Sequence, residues 1–350
     1  MPVPMMANIT PRQPDSANRS ASRTPSMNDS IPPPAVEQRP DVASVARDAV
    51  SILMCTNAHF QQHAAVCLAS LLANNPDFFF NIVIVAQENE QLDEDRIQRS
   101  LVRFPNYVLT FRHFALPQDL LLPLHPESHY TVDTYTRLWL GEFFPAEVER
   151  VLYLDADIVV VDSIRPLWTV DLGGALIGAV DIPGSDRGVV RLAMRSEDGY
   201  FNAGMLIIDL QQWRATQAEQ DVIDYIRANP DRVRYDQDAL NACFHSRTKR
   251  LDYKWNAISP FFREPLALPL QRAEIEAVRR DARIIHFNGG SKPWSYFCDH
   301  PRRAEYEKYL RMTAWQDYVP PDRTPLNMLR KGISAILPGS VKDLLKAVVK

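Results

Sequence analysis

The sequence predicts an α/β fold in which a largely parallel sheet carries helices on both faces. Short apolar runs alternate with segments of helical spacing, starting with a strand at 50–56, a helix, and a strand at 81–86. This order requires crossover connections, which place helices over both faces of a parallel sheet. The 350 residues are 46% hydrophobic and 23% charged, which is typical of a globular protein with a sizeable core.

Each predicted element rests on a periodicity. Strands are runs of β-branched and aromatic residues or alternate between apolar and polar ones, whereas helices carry apolar residues three and four positions apart. In chain order the predicted strands are 50–56, 81–86, 107–114, the Val-Leu-Tyr-Leu run at 151–154 that the acids bound, 175–180, 205–210 and 284–287. The predicted helices are one containing Ala64 to Leu72, then 92–102, 134–143 and 236–244.

Both ends of the chain differ from this folded domain, which we predict to span residues 49–312. Residues 1–48 contain nine of the 27 prolines and no aromatic residue, which predicts a disordered tail. Residues 313–350 form a basic segment with six basic residues and one acidic residue from position 323 onward. Its last part has an apolar helical face, formed by Val341, Leu344, Leu345, Val348 and Val349. Residues 323–350 could lie on an anionic membrane surface, or the helix could simply dock on the domain.

Composition excludes several functional classes. A net charge of -4 gives no reason to expect nucleic acid as a partner. The cysteines, Cys55, Cys67, Cys243 and Cys298, show no Cys-x-x-Cys spacing, which argues against a zinc knuckle or a disulfide scaffold. No apolar run approaches the roughly 20 residues that span a bilayer, and no secretory signal is expected. We therefore expect a cytoplasmic protein that could be peripheral on the cytoplasmic face of the membrane.

The most informative motif is Val-Leu-Tyr-Leu-Asp-Ala-Asp-Ile at 151–158. Asp155 and Asp157 follow a buried strand, and ligands bind at the carboxyl ends of strands in open α/β sheets. Two carboxylates so close repel each other unless a cation lies between them. The motif predicts a divalent metal that holds phosphate oxygens, and the alternative is a strand that runs into a solvated acidic loop.

A later segment, His286 to Trp294, has chemistry that would complete such a site. His286 closes a strand, and mixed imidazole and carboxylate ligation suits Mn²⁺ better than Mg²⁺, although Mg²⁺ remains open. Gly289 and Gly290 let the backbone approach a phosphate, and Lys292 would add a compact positive charge. Taken alone, His286 would more often be a hydrogen-bonded structural histidine.

Two further segments offer polar groups for sugar hydroxyls. Asn202 opens an apolar strand and can both donate and accept hydrogen bonds, although it could simply cap a turn. Asp236 and Gln237 open a helix, where Asp236 could be an N-cap alone. Together they could instead grip sugar hydroxyls or stabilise an electron-poor carbon.

These segments together resemble glycosyltransferase family 8, especially the bacterial lipopolysaccharide galactosyl- and glucosyltransferases. The resemblance covers about Ile52 to Trp294 in register. The matching segments are Thr-Asn-Ala-His-Phe at 56–60, Thr-Tyr-Thr-Arg-Leu at 134–138, the Asp-x-Asp strand, Tyr-Phe-Asn-Ala-Gly at 200–204, Asp-Gln-Asp at 236–238 and His-Phe-Asn-Gly-Gly-Ser-Lys-Pro-Trp at 286–294. The resemblance implies a GT-A fold, a UDP-hexose donor, a glycan or glycolipid acceptor, Mn²⁺ dependence and retention of anomeric configuration.

The resemblance also implies a role for each matched residue. The metal ligands would be Asp155, Asp157 and His286. The donor contacts would be Gly289 and Lys292 at the diphosphate, Ala156 between the two acids, Arg137, Asn202, Asp236 and Gln237 around the sugar, Asp181 near sugar and acceptor, and Thr56, Asn57, His59 and Phe60 around uridine. This chain has Asn57-Ala58-His59-Phe60 where relatives carry Asp-Asp-Asn-Tyr. We expect Asn57 to accept from the uracil N3–H and Phe60 to stack on the base.

The chemistry implied is departure of the nucleotide diphosphate with Lys292 stabilising the charge that develops. Gln237, Asp236 and Asp238 are the candidate nucleophiles, and same-face attack assisted by the departing phosphate is equally open. One rival interpretation is a haloacid dehalogenase-type phosphohydrolase with Asp155 as nucleophile, although that motif usually lies on the first strand. The other is a non-catalytic binder of nucleotide sugars.

Overall fold

A seven-stranded mixed sheet forms the middle layer of the fold, in the order β3-β2-β1-β4-β7-β6-β8. The structure is a computed structural model that describes residues 49–117 and 132–336. The strands of this sheet are β1 (Val50–Cys55), β2 (Phe80–Gln87), β3 (Tyr107–Phe114), β4 (Arg150–Leu154), β6 (Ile177–Asp181), β7 (Phe201–Asp209) and β8 (Thr248–Arg250). All neighbouring pairs are parallel except those that involve β7. The predicted α/β class with a mostly parallel sheet is confirmed.

The reversed strand β7 determines where the functional side chains meet. It runs antiparallel to β4, with Leu154 opposite Met205. The beginning of β7 therefore lies at the same edge of the sheet as the end of β4. Residues 201–204 and the acids after Leu154 are brought together by this reversal, although about 50 residues separate them in sequence.

Two apolar layers cover the sheet because its strands alternate their side chains between the faces. In β1, Ile52 and Met54 join one core, and Leu53 joins the other. β4 divides in the same way, with Leu152 on one face and Tyr153 on the other. Strands buried on both faces explain why the sequence reads as continuous apolar runs.

A second, three-stranded sheet lies in the order β5-β10-β9. Its strands are β5 (Ile158–Val160), β9 (Ala257–Ile258) and β10 (Ile284–His286). His286 is opposite Ile158 in the antiparallel pair of β10 and β5. This pairing brings the end of β10 to the loop that contains Asp155 and Asp157.

The helices connect these strands and supply the outer layers. They are α1 (Gln61–Asn74), α2 (Glu94–Leu101), α3 (Arg165–Trp168), α4 (Asp186–Arg191), α5 (Leu210–Ala215), α6 (Ala218–Ala228), α7 (Asp236–Phe244), α8 (Arg272–Asp281), α9 (Arg303–Leu310) and α10 (Pro325–Ile336). The 3-10 segments are Val132–Glu142, Ser196–Asp198, His245–Arg247, Tyr253–Trp255 and Ser259–Phe262.

Several element boundaries differ from the sequence predictions. The strand predicted before the two acids is β4, which ends at Leu154, whereas the second strand after the acids, β5, was not predicted. The helix predicted at 134–143 is a 3-10 segment, Val132–Glu142, with non-helical angles at Trp139. The strand predicted at 205–210 already begins at Phe201, so Asn202 lies within a strand rather than at a turn.

The predicted tail at 1–48 and the apolar face at 341–349 lie outside the described residues. The boundaries proposed for the three segments of the chain therefore stay predictions. Within the described residues, no helix combines the length and the apolar character that a membrane span requires.

Candidate active site

The two acids of the Asp-x-Asp turn and the imidazole of β10 converge on one point. Ligand atoms of Asp155, Asp157 and His286 all lie within 4.8 Å of one another. Nε2 of His286 is 3.1 Å from Oδ1 of Asp157 and 3.9 Å from Oδ2 of Asp155. The predicted metal ligands are therefore brought together, although His286 lies about 130 residues beyond the acids in sequence.

Asn256, which the sequence analysis missed, fixes the tautomer of His286. Its Nδ2 donates to Oδ1 of Asn202 at 2.8 Å, and that oxygen also accepts from the backbone N–H of Gly204. Oδ1 of Asn256 must then face Nδ1 of His286, 3.0 Å away, and accept its proton. With its proton held on Nδ1, the neutral imidazole would present Nε2 to the two acids, which is the form that a metal ligand requires. These donors fit a divalent cation.

Gly204 provides the space for this cluster. A Cβ atom at this position would lie 2.3 Å from Cε1 of His286 and 2.7 Å from Oδ2 of Asp155. Its carbonyl also accepts from the N–H of Asp155 at 2.8 Å. A glycine is therefore needed where β7 passes the acids. The segment Asn-Ala-Gly in the sequence carried this signal, but the role of its glycine was not predicted.

Lys292 supplies a positive charge beside the acids. Its Nζ lies 2.5 Å from Oδ2 of Asp157 and 3.0 Å from the carbonyl of Phe287. Burial alone would raise the pKa of Asp157, but His286 and Lys292 hold it well below its usual range. Gly289, three residues before Lys292, has φ +81°, which residues other than glycine rarely adopt, so the loop can bend towards a phosphate.

A buried arginine connects the metal ligands to Asp236. Nη1 of Arg137 lies 3.3 Å from Oδ1 of Asp155, and its Nε lies 2.8 Å from Oδ2 of Asp236. The guanidinium packs over the Tyr153 ring, 4.3 Å from its centroid, and the Tyr153 hydroxyl donates to Asp155 at 2.7 Å. Burial raises the pKa of Asp236 to about 6 despite the opposing effect of Arg137. Arg137 thus orients two carboxylates that border the same cavity.

Gln237 is held in one orientation by a chain of hydrogen bonds. Its Oε1 accepts from the N–H of Ala203 at 3.0 Å and from Nδ2 of Asn202 at 3.2 Å. Its Nε2 donates to the hydroxyl of Tyr200 at 3.1 Å, and that hydroxyl donates to Oδ1 of Asp238 at 2.6 Å. A carboxylate can only accept and a backbone N–H can only donate, so both ends of the chain determine the amide's orientation.

Asp238 does not border the cavity. Its side chain is fully buried and is bound by both terminal nitrogens of Arg191, at 2.6 and 2.7 Å, and by the N–H of Arg234. The structure therefore places this predicted nucleophile behind Gln237, where it supports Tyr200. No oxygen of Asp238 is placed towards the cavity, unlike the side chains of Asp236 and Gln237.

Two other predicted residues also lie apart from the cavity. Asp181 ends β6 and faces Arg250, with 2.9 Å between Oδ1 and Nη1, in a different surface depression. Burial raises the pKa of Asp181, and Arg250 opposes that rise. His59 is exposed and does not line the cavity. These two side chains are not among those that the structure brings to the acids.

The predicted uridine end differs from what the sequence suggested for Asn57. Its Oδ1 accepts from the backbone N–H groups of His59 and Phe60 at 3.0 and 3.1 Å. That oxygen therefore builds the turn before α1, and we do not assign it to the uracil N3–H as expected. Oγ1 of Thr56 is buried and makes no hydrogen bond to the described residues, and Thr56 lines the cavity.

These groups border one cavity of about 430 Å³ at the carboxyl edge of the sheet, here called the central cavity. The predicted site residues that line it are Thr56, Asn57, Phe60, Arg137, Asp155, Ala156, Asp157, Asn202, Asp236, Gln237, His286, Gly289 and Lys292. The cation-binding cluster, a lysine and a glycine-containing loop at one end suit a diphosphate. Amides and a buried acid beside them suit sugar hydroxyls. The fold and site define a glycosyltransferase of the GT-A class with a divalent-cation site.

The chain belongs to glycosyl transferase family 8, whose model matches residues 51–298. It is 28% identical over 272 residues to General stress protein A of Bacillus subtilis (strain 168), covering 75% of this chain and 94% of the relative. It is 26% identical to a lipopolysaccharide 1,2-glucosyltransferase of Escherichia coli, covering 77% and 80%. The family membership predicted from the motifs is confirmed, and it displaces the phosphohydrolase interpretation.

Solved structures show the same fold. The crystal structure of the galactosyltransferase LgtC, in complex with donor and acceptor sugar analogs, superposes with a TM-score of 0.65. The two chains are 24% identical, and the match covers 78% of this chain and 98% of the other. The predicted GT-A fold is therefore confirmed.

Proposed function

We propose that this enzyme transfers a hexose from a UDP-hexose to a hydroxyl of a glycan or glycolipid, with retention of anomeric configuration. The observation that carries the proposal is the convergence of Asp155, Asp157 and His286 beside Lys292. Such a set of ligands and a lysine suits the diphosphate of a nucleotide sugar.

The acceptor class rests on the relatives. Among them are lipopolysaccharide glucosyltransferases of Escherichia coli and a lipopolysaccharide 1,3-galactosyltransferase of Salmonella typhimurium. Each of these covers at least 73% of this chain. By analogy we assign to this chain a growing surface glycolipid as acceptor, and glucose or galactose as the hexose transferred.

The residues around the central cavity divide the work of the reaction. Lys292 and the backbone at Gly289 would hold the diphosphate and stabilise its charge as the bond to the sugar breaks. A bound divalent cation supplies Lewis-acid neutralisation of the same leaving group. Asp236 would accept from a sugar hydroxyl, and Arg137 fixes the position of that carboxylate. The mixed ligand set of two carboxylates and an imidazole favours Mn²⁺ over Mg²⁺ as the bound cation.

Gln237 would place an oriented amide oxygen beside the reacting carbon. Because this oxygen already accepts two hydrogen bonds, it is a weak nucleophile, and Asp238 behind it is enclosed by Arg191 and Tyr200. This arrangement favours same-face attack, in which the departing phosphate takes the proton of the acceptor hydroxyl. The oxocarbenium-like carbon would be stabilised electrostatically by the amide oxygen.

A panel of UDP-sugars tests the donor assignment. Slow hydrolysis of UDP-glucose or UDP-galactose is expected with Mn²⁺, more slowly with Mg²⁺, and not with chelator. The variant Asp231→Ala, which removes an exposed acid outside the central cavity, should hydrolyse the same donors as the unaltered protein. If UDP binds with Mn²⁺ but no sugar donor turns over with any acceptor, the non-catalytic interpretation replaces the transferase.

We also propose peripheral membrane contact through the segment 323–350, of which the structure describes residues 323–336. Helix α10 exposes four large apolar side chains, Leu326, Met328, Leu329 and Ile333. Arg330 and Lys331 lie exposed on the same helix. An apolar face with basic neighbours suits the surface of an anionic bilayer. No disulfide joins any of the four cysteines, all of which lie among the described residues, and this also favours the cytoplasmic face.

Liposome flotation tests the membrane contact. The double variant L326E/L329E should lose most binding to vesicles that contain phosphatidylglycerol, while its turnover on soluble acceptors is retained. The control V102E/V190E changes two valines that are 79% and 75% exposed elsewhere in the protein. Equal flotation of both variants and the unaltered protein would eliminate α10 as the contact.

A further inference from the structure

A second cavity of about 430 Å³ lies behind Trp294 and is here called the aromatic cleft. Its other walls are α9 and the chain between α9 and α10. On α9, Arg303, Tyr306 and Leu310 face the cleft at helical spacing. Trp294 also lines the central cavity, so a single side chain borders both. A ligand in the cleft would therefore reach to within one ring of the donor site.

Aromatic side chains form part of the lining of the cleft. Trp294, Tyr296, Tyr306 and Tyr318 all line it. One of them is fixed in place, because Trp294 stacks on His63 with 3.4 Å between ring centroids. The Tyr318 hydroxyl makes no hydrogen bond to the residues that the structure describes. Rings with a polar edge offer flat apolar surface and hydrogen bonding together, which suits the C–H faces and hydroxyls of a sugar.

The charges in the cleft are positive and partly uncompensated. Arg303 is paired with Glu307 at 2.8 Å. Arg311 and Arg323 also line the cleft, and within 49–117 and 132–336 neither guanidinium forms an ion pair or a hydrogen bond. Guanidinium groups bind carboxylate or phosphate oxygens in bidentate geometry. The cleft therefore combines sugar-stacking surface with two cations available to an anion.

We infer that the aromatic cleft binds an anionic sugar unit of the acceptor, one that carries a phosphate or a carboxylate. This inference rests on the proposed transfer to a glycan, since it assigns the unit to the same acceptor. A neutral sugar would leave Arg311 and Arg323 unused, and a bare phosphate would leave the rings unused. The cleft would hold this unit on the far side of Trp294 from the central cavity.

Isothermal titration calorimetry with soluble probes tests the assignment without any turnover. Glucose 6-phosphate or glucuronate should bind at least about tenfold more tightly than glucose. The stronger of the two identifies the anion as phosphate or carboxylate. The variant R311A/R323A should lose this preference, whereas Arg272→Ala, at an exposed arginine outside the cleft, should keep it. Equal affinity for the anionic probes and glucose would overturn the inference, as would an unchanged preference in R311A/R323A.

Two further measurements separate this inference from other outcomes. Glycerol 1-phosphate carries the anion without a ring, and binding as tight as glucose 6-phosphate would show a headgroup site instead of a sugar site. UDP affinity with Mn²⁺ should be the same in R311A/R323A and in the unaltered protein, because neither arginine lines the central cavity. If UDP-sugars fail to turn over while the probes bind as expected, the proposed function fails, and only the binding of anionic sugars by the cleft stands.

Discussion

The two ends of the central cavity are built in different ways. At the cation end, Asp155, Asp157 and His286 are each oriented by a partner at a short distance, and Lys292 already lies against an acid. At the opposite end, Asn57 uses its side-chain oxygen to build the turn before α1, and the hydroxyl of Thr56 in the wall has no hydrogen bond to any residue that the structure describes. The first end is preorganised for charge, whereas the second has a shape with few fixed polar groups. On the proposed function, we expect the affinity for the donor to come mainly from the diphosphate and less from the base.

The sharpest test of this comparison removes a cation ligand. Asp157→Ala should lower Mn²⁺-dependent UDP affinity by at least about 1,000-fold, because it removes one of the ligands on which the ion depends. Calorimetry with UDP and Mn²⁺ measures the change, with Asp231→Ala as control. Retention of tight binding would show that the base end dominates, contrary to the comparison.

The stability of the folded protein should depend on pH through His63, which packs beside the central cavity. His63 of α1 stacks on Trp294 and bonds the Tyr306 hydroxyl at 2.7 Å, and burial lowers the pKa of His63 to about 3. The unfolded chain takes up this proton near pH 6.5, so His63 makes the folded state lose stability as pH falls from about 6.5 towards 3. Between pH 7 and 4.5 its contribution is roughly 2 to 3 kcal/mol.

The variant His63→Phe preserves the stack and removes the titration. Chemical unfolding at several pH values should show a flatter acid limb for His63→Phe than for the unaltered protein. The exposed His59→Phe serves as the control and should follow the unaltered protein. Parallel curves for His63→Phe and the unaltered protein would mean that the buried imidazole of His63 does not contribute to the loss of stability in acid.

The orientation of Gln237 allows a test at the sugar. Tyr200→Phe removes the hydroxyl that joins Gln237 to Asp238, so the side-chain amide of Gln237 loses the hydrogen bond to its nitrogen and can rotate. We expect kcat to fall about tenfold while KM for the donor and the affinity for UDP change little. Tyr253→Phe, outside the central cavity, is the control. An equal loss in KM, or no loss in kcat, would show that Asn202 and Ala203 hold the amide without Tyr200.

The smallest effect is expected at the base end. Thr56→Val removes the buried hydroxyl that has no partner among the described residues, and UDP affinity should fall about fivefold. Thr136→Val is a matched control, since the Thr136 hydroxyl is also buried without a partner in the described part of the chain, but Thr136 does not line the cavity. If both variants bind UDP alike, Thr56 makes no contact with the nucleoside.

The parts that the sequence predicted are those with a local signal. The strands carry runs of apolar residues, and the acids after β4 carry the spacing of a cation site, so both could be placed from the sequence. Asn256 and Tyr200 could not, because their roles depend on hydrogen bonds to residues distant in the chain. Asp238 was misplaced for a related reason: on one helix turn, neighbouring acids face different directions.

The reversed strand posed a harder problem. A run of apolar residues buried on both faces reads the same in either direction, so nothing in 201–209 indicates that β7 runs antiparallel to β4. The same uncertainty hid the start of the strand at Phe201. The motif of Asn202 and Gly204 could be recognised, but the reason for its glycine required the partner strand.

Gly204 has a consequence for reading other members of the family. The three atoms nearest to the Cβ of an alanine there would belong to His286, Asp155 and Asn202, all polar residues of the site. A chain with this alanine should keep the fold but should not bind the divalent cation. A single methyl group at position 204 is thus expected to abolish activity while the fold is retained. In a family member that shows no turnover, the residue that corresponds to Gly204 is the first to inspect.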